Sequence, residues 1–408
     1  MKIRITRIVF PIIFLALAFL LSSPLLMRLF FISVILEFLG FVWAFSGARN
    51  MRVTFSRLPS HATVGDRLTE SVIVENKSPL PALLLKFEGK SDMPGVVNTK
   101  DLNLKPKGTV SWSTTVDCSR RGRYSVGTGT LMAGDPLGFF SRYRIVGESR
   151  QLLVYPATVD LPNFEVSTSG ILGDMSSGWL TGQTGTNAAG VREFVSGDSL
   201  MHIHWPSTAR SGQLMVKMFD GGRASSNSEA VYVVVDLEKG VQHGETGSGS
   251  EEYSVKAAAS LVKKYIEQGL QVGLIISSDP VVSYPPDRGD VHFYKLLEAL
   301  ATAQGNGTIP IDRVVNGHLK AIPGDATVVI VSPSASTFLV DSVRQLRTRE
   351  ILVSLVSVDP ASFGGSESSS NIIRHMRWLG IQVYVATNGE DIGTSLDRRT
   401  LPSTVQFM

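Results

Sequence analysis

Two histidines and two carboxylates in the middle of the chain are of types that do chemistry. His202 and His204 follow Glu193 and Asp198. Histidine nitrogens and carboxylate oxygens are metal ligands, and a histidine oriented by a carboxylate acts as a general acid or base. The two histidines share a face only where this piece of chain is extended, because side chains alternate along a strand. Two hypotheses for this segment are therefore a metal site, with Asp198 or Glu193 as a carboxylate ligand, and an acid–base site, with a histidine oriented by Asp198.

The same segment carries three cations, Arg192, Arg210 and Lys217. Guanidinium and ammonium groups form charge-assisted hydrogen bonds with carboxylates and phosphates, so the cations favour an anion or peptide-carboxylate site. In the alternative, the arginines pair with Glu193 or Asp198, and Trp205 fills a gap between neighbouring domains. We favour this structural network, with anion or partner binding second and metal binding or catalysis third.

This segment resembles the signature of a bacterial and archaeal family called domain of unknown function 58. The shared pattern is an Arg-Glu-aromatic, a Gly-Asp, a His-Trp or Asp-Trp, a Ser-x-Ala-Arg and a Leu-x-Val-Lys. The residues in register are Glu193, Gly197, Asp198, Trp205, Ala209, Arg210, Leu214, Val216 and Lys217. His202 and Pro206 depart from the pattern, where the family often has arginine and lysine. The chemistry of the family is unknown, so the resemblance implies an architecture more than an activity.

Composition excludes several classes of protein. The 408 residues are enough for a membrane segment and two soluble domains. The net charge of +3, from 39 basic and 36 acidic residues, gives no field that would attract nucleic acid. One cysteine, Cys118, excludes an internal disulfide and a cysteine-rich metal site. The phosphate-loop GxxxxGK, HExxH and GxSxG motifs are absent, which argues against nucleotide hydrolysis, zinc proteolysis and esterase chemistry.

Two apolar runs near the start, within residues 1–47, predict a transmembrane helical hairpin. Ile8 to Met27 carries no charge and is about 20 residues long, enough to cross a bilayer. Leu29 to Phe45 is a second run with one acid, Glu37, and Arg28 separates the two. Basic residues flank the hairpin on both sides, which places both ends, and all that follows, in the cytoplasm of a two-span membrane protein.

Residues 48–165 and 166–225 form the next two segments. The first contains short β-rich runs separated by Pro/Gly/Asn turns and predicts an antiparallel β-sandwich that serves as a scaffold or binds a partner. The second is a Gly/Ser-rich linker followed by the charged signature, where we expect a strand, a turn and a second strand. Asp198 or Ser199 is the predicted cap of a short helix within that turn.

Residues 226–408 predict a doubly wound α/β domain. Near-continuous Val/Ile/Leu runs are typical of parallel strands covered on both faces. Helical spacing recurs between them, and Ser248 with Glu251 predicts a capping box for the first helix. The predicted strands are 231–236, 271–277, 327–332, 351–359 and 382–387, and the later helices are 291–303, 337–349 and 371–379.

The strand ending at Asp236 resembles the first strand of a von Willebrand factor A-like domain. The resemblance implies a divalent ion bound by Asp-x-Ser-x-Ser, since a hard cation requires clustered oxygens. This chain has Asp236-Leu237-Glu238-Lys239-Gly240 instead, so both serines are missing and a positive charge is added. We therefore predict a degenerate metal site, with no bound metal and no cofactor. Ser332, Ser334 and Asp359 end other strands and could supply oxygens.

Carboxylates at the carboxyl ends of the strands mark the edge where ligands bind in such folds. Asp236, Glu238 and Asp359 are therefore candidate contacts for a partner, and the alternative is that they cap loops. The leading hypothesis is a membrane-anchored, non-catalytic interaction or assembly protein. The family resemblance implies a MoxR-type AAA+ ATPase as the protein partner. The alternatives are a hydrolase or metal-dependent enzyme using His202, His204 and Asp198, and a divalent-ion-dependent adhesion module.

Overall fold

The computed structural model describes residues 2–3, 6–138, 140–164, 188–193, 205–219 and 230–397. The chain divides into two compact units. The first unit contains Met1–Val159 with Tyr294–Gln304, and the second contains Asp160–Phe293 with Gly305–Met408. The chain is thus a multidomain α/β protein with an N-terminal apolar helix and several β-sheets.

The first unit begins with two helices, α1 (Thr6–Leu20) and α2 (Pro24–Arg49). The predicted break at Arg28 is wrong, because Ser22 has a φ of 45° and Pro24 begins the new helix. Proline fits the first turn of a helix, where its missing N–H is not needed.

Within the described residues, Pro24–Gly47 is the one helical segment long and apolar enough to cross a membrane. The 15 residues of α1 extend about 22 Å, short of a hydrocarbon core of about 30 Å, so two spans are not shown.

Nine strands of the first unit form two sheets. One sheet has the order β1-β9-β8-β5-β6 with β3 beside β9, and the other has the order β2-β4-β7. Because β3 pairs in parallel with β9, the unit is not wholly antiparallel as predicted. The strands are β1 (Lys2–Ile3), β2 (Met51–Phe55), β3 (His61–Thr63), β4 (Arg67–Asn76), β5 (Ala82–Lys90), β6 (Thr99–Leu104), β7 (Thr109–Asp117), β8 (Gly122–Gly134) and β9 (Phe140–Tyr155).

Both sheets contribute to one core. Along β4, Val72 and Val74 are fully buried, whereas Ile73 between them is 42% exposed, as the alternation of side chains in a strand requires. Val72 and Val74 belong to the same buried cluster as Phe87 of β5. The ring of Phe87 meets that of Trp112 on β7 at a centroid distance of 5.3 Å. Aromatic contacts of this kind join the inner faces of the two sheets.

The second half of α2 packs against β8 and β9 of the same unit. A side chain at Gly40 would place its Cβ 3.2 Å from Oδ2 of Asp135, so glycine permits the close approach. Ala44, one turn later, is buried, and the guanidinium of Arg142 lies 4.4 Å from the centre of the Phe45 ring. The part of α2 that precedes Gly40 is free of these contacts and is largely exposed.

The charged segment contains β10 (Ala188–Glu193), α3 (Trp205–Ser211) and β11 (Met215–Phe219). The two strands pair antiparallel as a separate sheet. The prediction of two strands here is confirmed, and a short helix lies between them as expected, although α3 begins only at Trp205. The predicted helix caps, Asp198 and Ser199, lie outside the described residues.

Besides the β10–β11 pair, the described residues of the second unit form a sheet of six strands with the order β14-β13-β12-β15-β16-β17. All of its pairs are parallel except that of β13 with β14. The elements from here to residue 397 are β12 (Ala230–Asp236), α4 (Ser250–Glu267), β13 (Gln271–Ser277), β14 (Val282–Asp287), α5 (Asp290–Thr302), α6 (Ile311–His318), β15 (Thr327–Ser332), α7 (Phe338–Thr348), β16 (Leu352–Val358), α8 (Ser370–Trp378), β17 (Gln382–Ala386) and α9 (Ile392–Asp397). Helix α5 belongs to the first unit from Tyr294 onward. The five predicted strands and four predicted helices are present within a residue or two of their expected bounds.

Helices cover both faces of this sheet. Val234 and Ile330 on one face share a buried cluster with Val314 of α6, Leu339 of α7 and Ile372 of α8. Helix α4 packs on β12, β13 and β15 without contributing to that cluster. Since neighbouring strand residues point to opposite faces, α4 covers the other side of the sheet.

The predicted capping box of α4 is wrong. Gly249 is the residue at the N-cap, and no side chain caps the helix there. A Cβ at Gly249 would lie 2.6 Å from the carbonyl oxygen of His243, so this position excludes a side chain. The hydroxyl of Ser250 donates instead to Oε1 of Gln242 (2.9 Å), which ties the start of α4 to the end of β12.

Candidate functional site

The candidate site lies at the carboxyl ends of β12 and β15. These two central strands are neighbours in the sheet. After β12 the chain continues to β13 on one side of β12, and it later returns to form β15 on the other side. Open α/β sheets bind ligands outside the carboxyl ends of the strands at such a reversal of strand order. Asp236 is the last residue of β12, and Ser332 is the last residue of β15.

The carboxylate of Asp236 is fully buried and bound within the protein. Its Oδ2 accepts a hydrogen bond of 2.6 Å from the hydroxyl of Ser332, and its Oδ1 accepts one of 3.1 Å from the backbone N–H of Glu238. Hydrogen bonds satisfy a buried carboxylate and offset part of the cost of removing it from water. Both oxygens that a cation would coordinate are therefore already hydrogen-bonded to the chain.

Burial raises the pKa of Asp236 to about 7. The hydrogen bonds from Ser332 and Glu238 oppose the shift, and the nearby carboxylates of Glu238 and Asp312 add to it. Burial also raises the pKa of Glu238, again with a contribution from Asp312. A group whose pKa is near 7 is present in both its neutral and its charged form at neutral pH.

Alternate serines extend this bond into a ladder that ends at an aromatic residue. Each serine hydroxyl accepts a hydrogen bond from the backbone N–H two residues later. The N–H of Ser334 donates to the hydroxyl of Ser332 (2.9 Å), and the N–H of Ser336 donates to the hydroxyl of Ser334 (3.2 Å). The N–H of Phe338 donates to the hydroxyl of Ser336 (3.3 Å). Serine hydroxyls that accept from the backbone two residues later order a loop locally. The loop after β15 is therefore connected to the buried Asp236, and it presents the ring of Phe338, which is 69% exposed.

Glu238 and the loop at Gly307 form the adjacent part of this edge. The N–H of Lys239 donates to the carbonyl of Gly307, and the N–H of Gly307 donates to Leu237, both at 2.9 Å. Glu238 is half-buried, whereas Lys239 is exposed. The two residues offer one negative and one positive group beside the crevice.

Asp359 caps a loop, which was the alternative that the sequence left open. Its Oδ1 accepts hydrogen bonds from the N–H (3.1 Å) and the hydroxyl (2.9 Å) of Ser369, immediately before α8. The carboxylate thus supplies the acceptor that the first turn of α8 needs. It stands at the same edge as Asp236, because β16 is the neighbour of β15.

The structure places only some of the charged signature. Arg192 stands opposite Val216, Glu193 opposite Met215 and Lys217 opposite Val191 in the β10–β11 pair. Trp205 is the first residue of α3, and Arg210 is exposed in its last turn. Gly197, Asp198, His202 and His204 lie outside the described residues, so the metal and acid–base hypotheses stay predictions. Among the described residues, no three histidines, cysteines or acids are arranged to hold a metal ion.

Sequence reasoning missed the role of Ser336 and Phe338. The available signal was the spacing of serines at every second position in Ser332-Pro333-Ser334-Ala335-Ser336. The sequence predicts Ser332 and Ser334 only as possible oxygen ligands of an ion, whereas in the structure both hydroxyls accept hydrogen bonds from backbone N–H groups.

The protein is of the α/β class, with a crevice where the strand order of its parallel sheet reverses. The charged signature precedes this sheet in the chain. The model of a family described as "Protein of unknown function DUF58" matches residues 190–363, from β10 to the segment after β16. The uncharacterized protein YeaD of Bacillus subtilis (strain 168) is 25% identical over 267 residues, which are 62% of this chain and 63% of that protein. The similarity thus covers less than two thirds of the relative's length.

Solved structures are similar only over parts of the chain. Proximal thread matrix protein 1 from the mussel byssus is 12% identical, with a TM-score of 0.31, over 41% of this chain and 45% of its own. The human seminal plasma complex of zinc 2-glycoprotein and prolactin inducible protein gives 13% identity and a TM-score of 0.20, over 25% of this chain and 92% of that one. Scores of this size indicate no function.

Proposed function

We propose that this protein is a membrane-anchored, non-catalytic interaction or assembly protein. In this proposal its second unit is a von Willebrand factor A-like domain that binds a protein partner at the carboxyl edge of the sheet. The observation that carries the proposal is the exposed ring of Phe338, held by the serine ladder that starts at Asp236.

The geometry of the ladder favours binding of a partner. Aromatic residues are enriched at the centres of protein interfaces, where one ring can supply much of the binding energy. A loop that is already ordered loses little conformational entropy on binding. Ile309, which is 43% exposed, adds apolar surface near the end of β13, since its carbonyl accepts the hydroxyl of Ser277.

The von Willebrand factor A-like assignment is supported by the strand order and by Asp236 at the end of the first strand. In this chain Glu238 and Gly240 stand at the two positions where serines would complete an ion site. The degenerate site then has a structural role, because Asp236 accepts a hydrogen bond from Ser332 and thereby fixes the start of the loop after β15. Contact with the partner is made by protein groups alone.

We further propose that α1 and α2 form a hairpin in the membrane and that both units are cytoplasmic, the β-sandwich domain lying next to the bilayer. Support comes from the two ends of the hairpin. Lys2–Ile3 pairs with Phe140–Ser141 of β9, and α2 ends immediately before β2. Both ends therefore lead into the sheets of the first unit, one into each, and basic residues flank them as the positive-inside rule requires.

The partner implied by the family resemblance is a MoxR-type AAA+ ATPase. The test is to purify the full chain in detergent and to measure its Kd for the MoxR-type ATPase of the same genome. Phe338→Ser should weaken binding at least about tenfold, because loss of a central interface aromatic costs more than about 1.4 kcal/mol.

Trp378→Ser is the matched control. Trp378 is an 82% exposed aromatic at the end of α8, just before β17 begins, and so lies at the opposite edge of the sheet. Its loss should leave the Kd unchanged. Equal weakening by the two variants, or no binding of the ATPase by the unaltered chain, would reject the proposal.

A further inference from the structure

A glutamate occupies a core position in the first unit. Along β4, Glu70, Val72 and Val74 share the inward face, and Glu70 is only 8% exposed. A carboxylate at such a position is costly, because burial removes it from water. Burial accordingly raises the pKa of Glu70. An apolar side chain would be the ordinary occupant of this position.

Glu70 lies where the core of the unit is interrupted. The buried apolar residues form two clusters, one around Val72 and Phe87 and the other around Val126 and Leu152, and Glu70 lines the cavity between residues packed on each. Among the described residues, the single hydrogen bond to its carboxylate is a long one, 3.4 Å from Nδ2 of Asn98. Asn98 is itself held by the indole N–H of Trp112 at 3.0 Å. The other carboxylate oxygen has no hydrogen-bond partner within the part of the chain that the structure describes.

A cavity of about 350 Å³ opens at this interruption. Its walls include Val53 and Phe55, which pack on the first cluster, and Leu58 and Val126 of the second, with Glu70 between them. This volume is at the small end of the range of about 300–1,000 Å³ for small-molecule sites. Glu148 and Arg150 at the mouth are exposed and opposite in charge, so Glu70 supplies the net charge of the cavity.

We propose that this cavity binds a guanidinium or primary ammonium group carried on a short apolar stem, with Glu70 as its counter-ion. The carboxylate forms charge-assisted hydrogen bonds with the cation, and the apolar walls accept the methylene stem. A cation also compensates for the burial of the carboxylate, which Asn98 does only weakly. The site takes a small organic cation of this chemistry and is separate from the sheet edge of the second unit.

The test uses the full chain in detergent, with n-butylguanidinium as the probe and n-butylurea as its neutral isostere. Ligand-observed NMR should give a Kd of about 1 mM for the cation, a plausible affinity for so few atoms, and at least about tenfold weaker binding of the urea. Glu70→Gln should reduce binding of the cation at least about tenfold, because it keeps the shape and removes the charge. Glu75→Gln, on the outer face of the same strand, should have no effect.

Val53→Phe provides a second variant that keeps the carboxylate and fills the cavity from its wall. It should abolish binding while the melting temperature shows that the chain is folded. This variant decides the question if Glu70→Gln does not fold. Equal binding of the two probes, unchanged affinity in either variant, or no binding of n-butylguanidinium would overturn the proposal.

Discussion

At the scale of single residues, Asp236 shows that the neighbours of a carboxylate decide its role. Two serines following the strand would create a cluster of oxygens for a hard cation. Glu238 and Gly240 stand at those two positions here, and the hydroxyl that reaches Asp236 comes from Ser332 on the neighbouring strand β15. The same carboxylate position thereby supports the loop that carries Phe338.

The titration of Asp236 predicts a pH dependence of stability. Its pKa is about 7 in the folded chain and near 4 in the unfolded chain. Below pH 4 both states are protonated and the group has no effect. As pH rises from about 4 to about 7 the unfolded state loses its proton first, so the free energy of unfolding falls, by at most about 4 kcal/mol, and is constant above that range.

Asp236→Asn should remove this contribution, since an amide does not titrate. We expect the variant to lose less stability than the unaltered chain between pH 4.5 and pH 7.5, measured by denaturant unfolding of the full chain in detergent. The neighbouring Glu238 and Asp312 are present in both proteins, so the difference between the two pH profiles reports on Asp236. Identical pH profiles would show that Asp236 keeps an ordinary pKa.

At the scale of elements, the crevice depends on how closely backbone segments approach. The loop at Gly307 pairs with the segment after β12, and a Cβ there would collide with the carbonyl oxygen of Ser277 and lie 2.9 Å from that of Leu237. Both obstacles are backbone atoms that close the end of the sheet. The position therefore requires glycine for space rather than for flexibility.

Gly307→Ala should destabilise the chain by at least about 2 kcal/mol, because backbone must shift to admit the methyl group. Gly317→Ala is the control. Gly317 lies on the exposed side of α6 with nothing near its Cβ position, so alanine should stabilise the helix by up to about 1 kcal/mol. In urea unfolding, we expect the free energy of unfolding to fall for Gly307→Ala and to rise for Gly317→Ala. A neutral Gly307→Ala would show that the loop is not packed as described.

Elements of the second unit were predictable where their pattern was strong. Continuous buried runs such as Val231 to Val235 indicate a covered parallel strand without knowledge of its partners. Three elements were missed, strand β14 and the short helices α6 and α9, because their local signals are unfavourable or weak. Strand β14 contains Pro285 and Pro286, which argue against a strand but are tolerated at the edge of a sheet. Helix α6 has only 8 residues, too few for a clear period.

At the scale of the whole molecule, α2 has two roles along its length. From Gly40 onward it packs on β8 and β9, as Phe41 shows by meeting Phe140 at 5.7 Å. Before Gly40 many of its large apolar side chains are exposed, and Phe31, Ile35 and Phe38 are more than half exposed. Exposed apolar surface of this extent on a long helix indicates contact with lipid.

Deletion of residues 1–39 should release the chain from membranes, since it removes the exposed apolar helices and leaves the packed end of α2 on its sheets. Flotation in a density gradient is the measurement, because membrane-bound chain floats whereas free or aggregated chain does not. The full-length chain is the control and should float. A truncated chain that still floats would place the membrane contact elsewhere in the molecule.

The sequence alone determined the periodic features: the apolar helices, the alternating strands, the buried parallel strands and the position of Asp236 at a strand end. These depend on residues close together in the chain, whose spacing sets which face they occupy. The tertiary structure decided that Ser332, 96 positions away, binds Asp236, and that Glu70 stands at a gap between two core clusters. Such facts depend on which strands become neighbours, because burial and hydrogen-bond partners arise only when distant segments pack together.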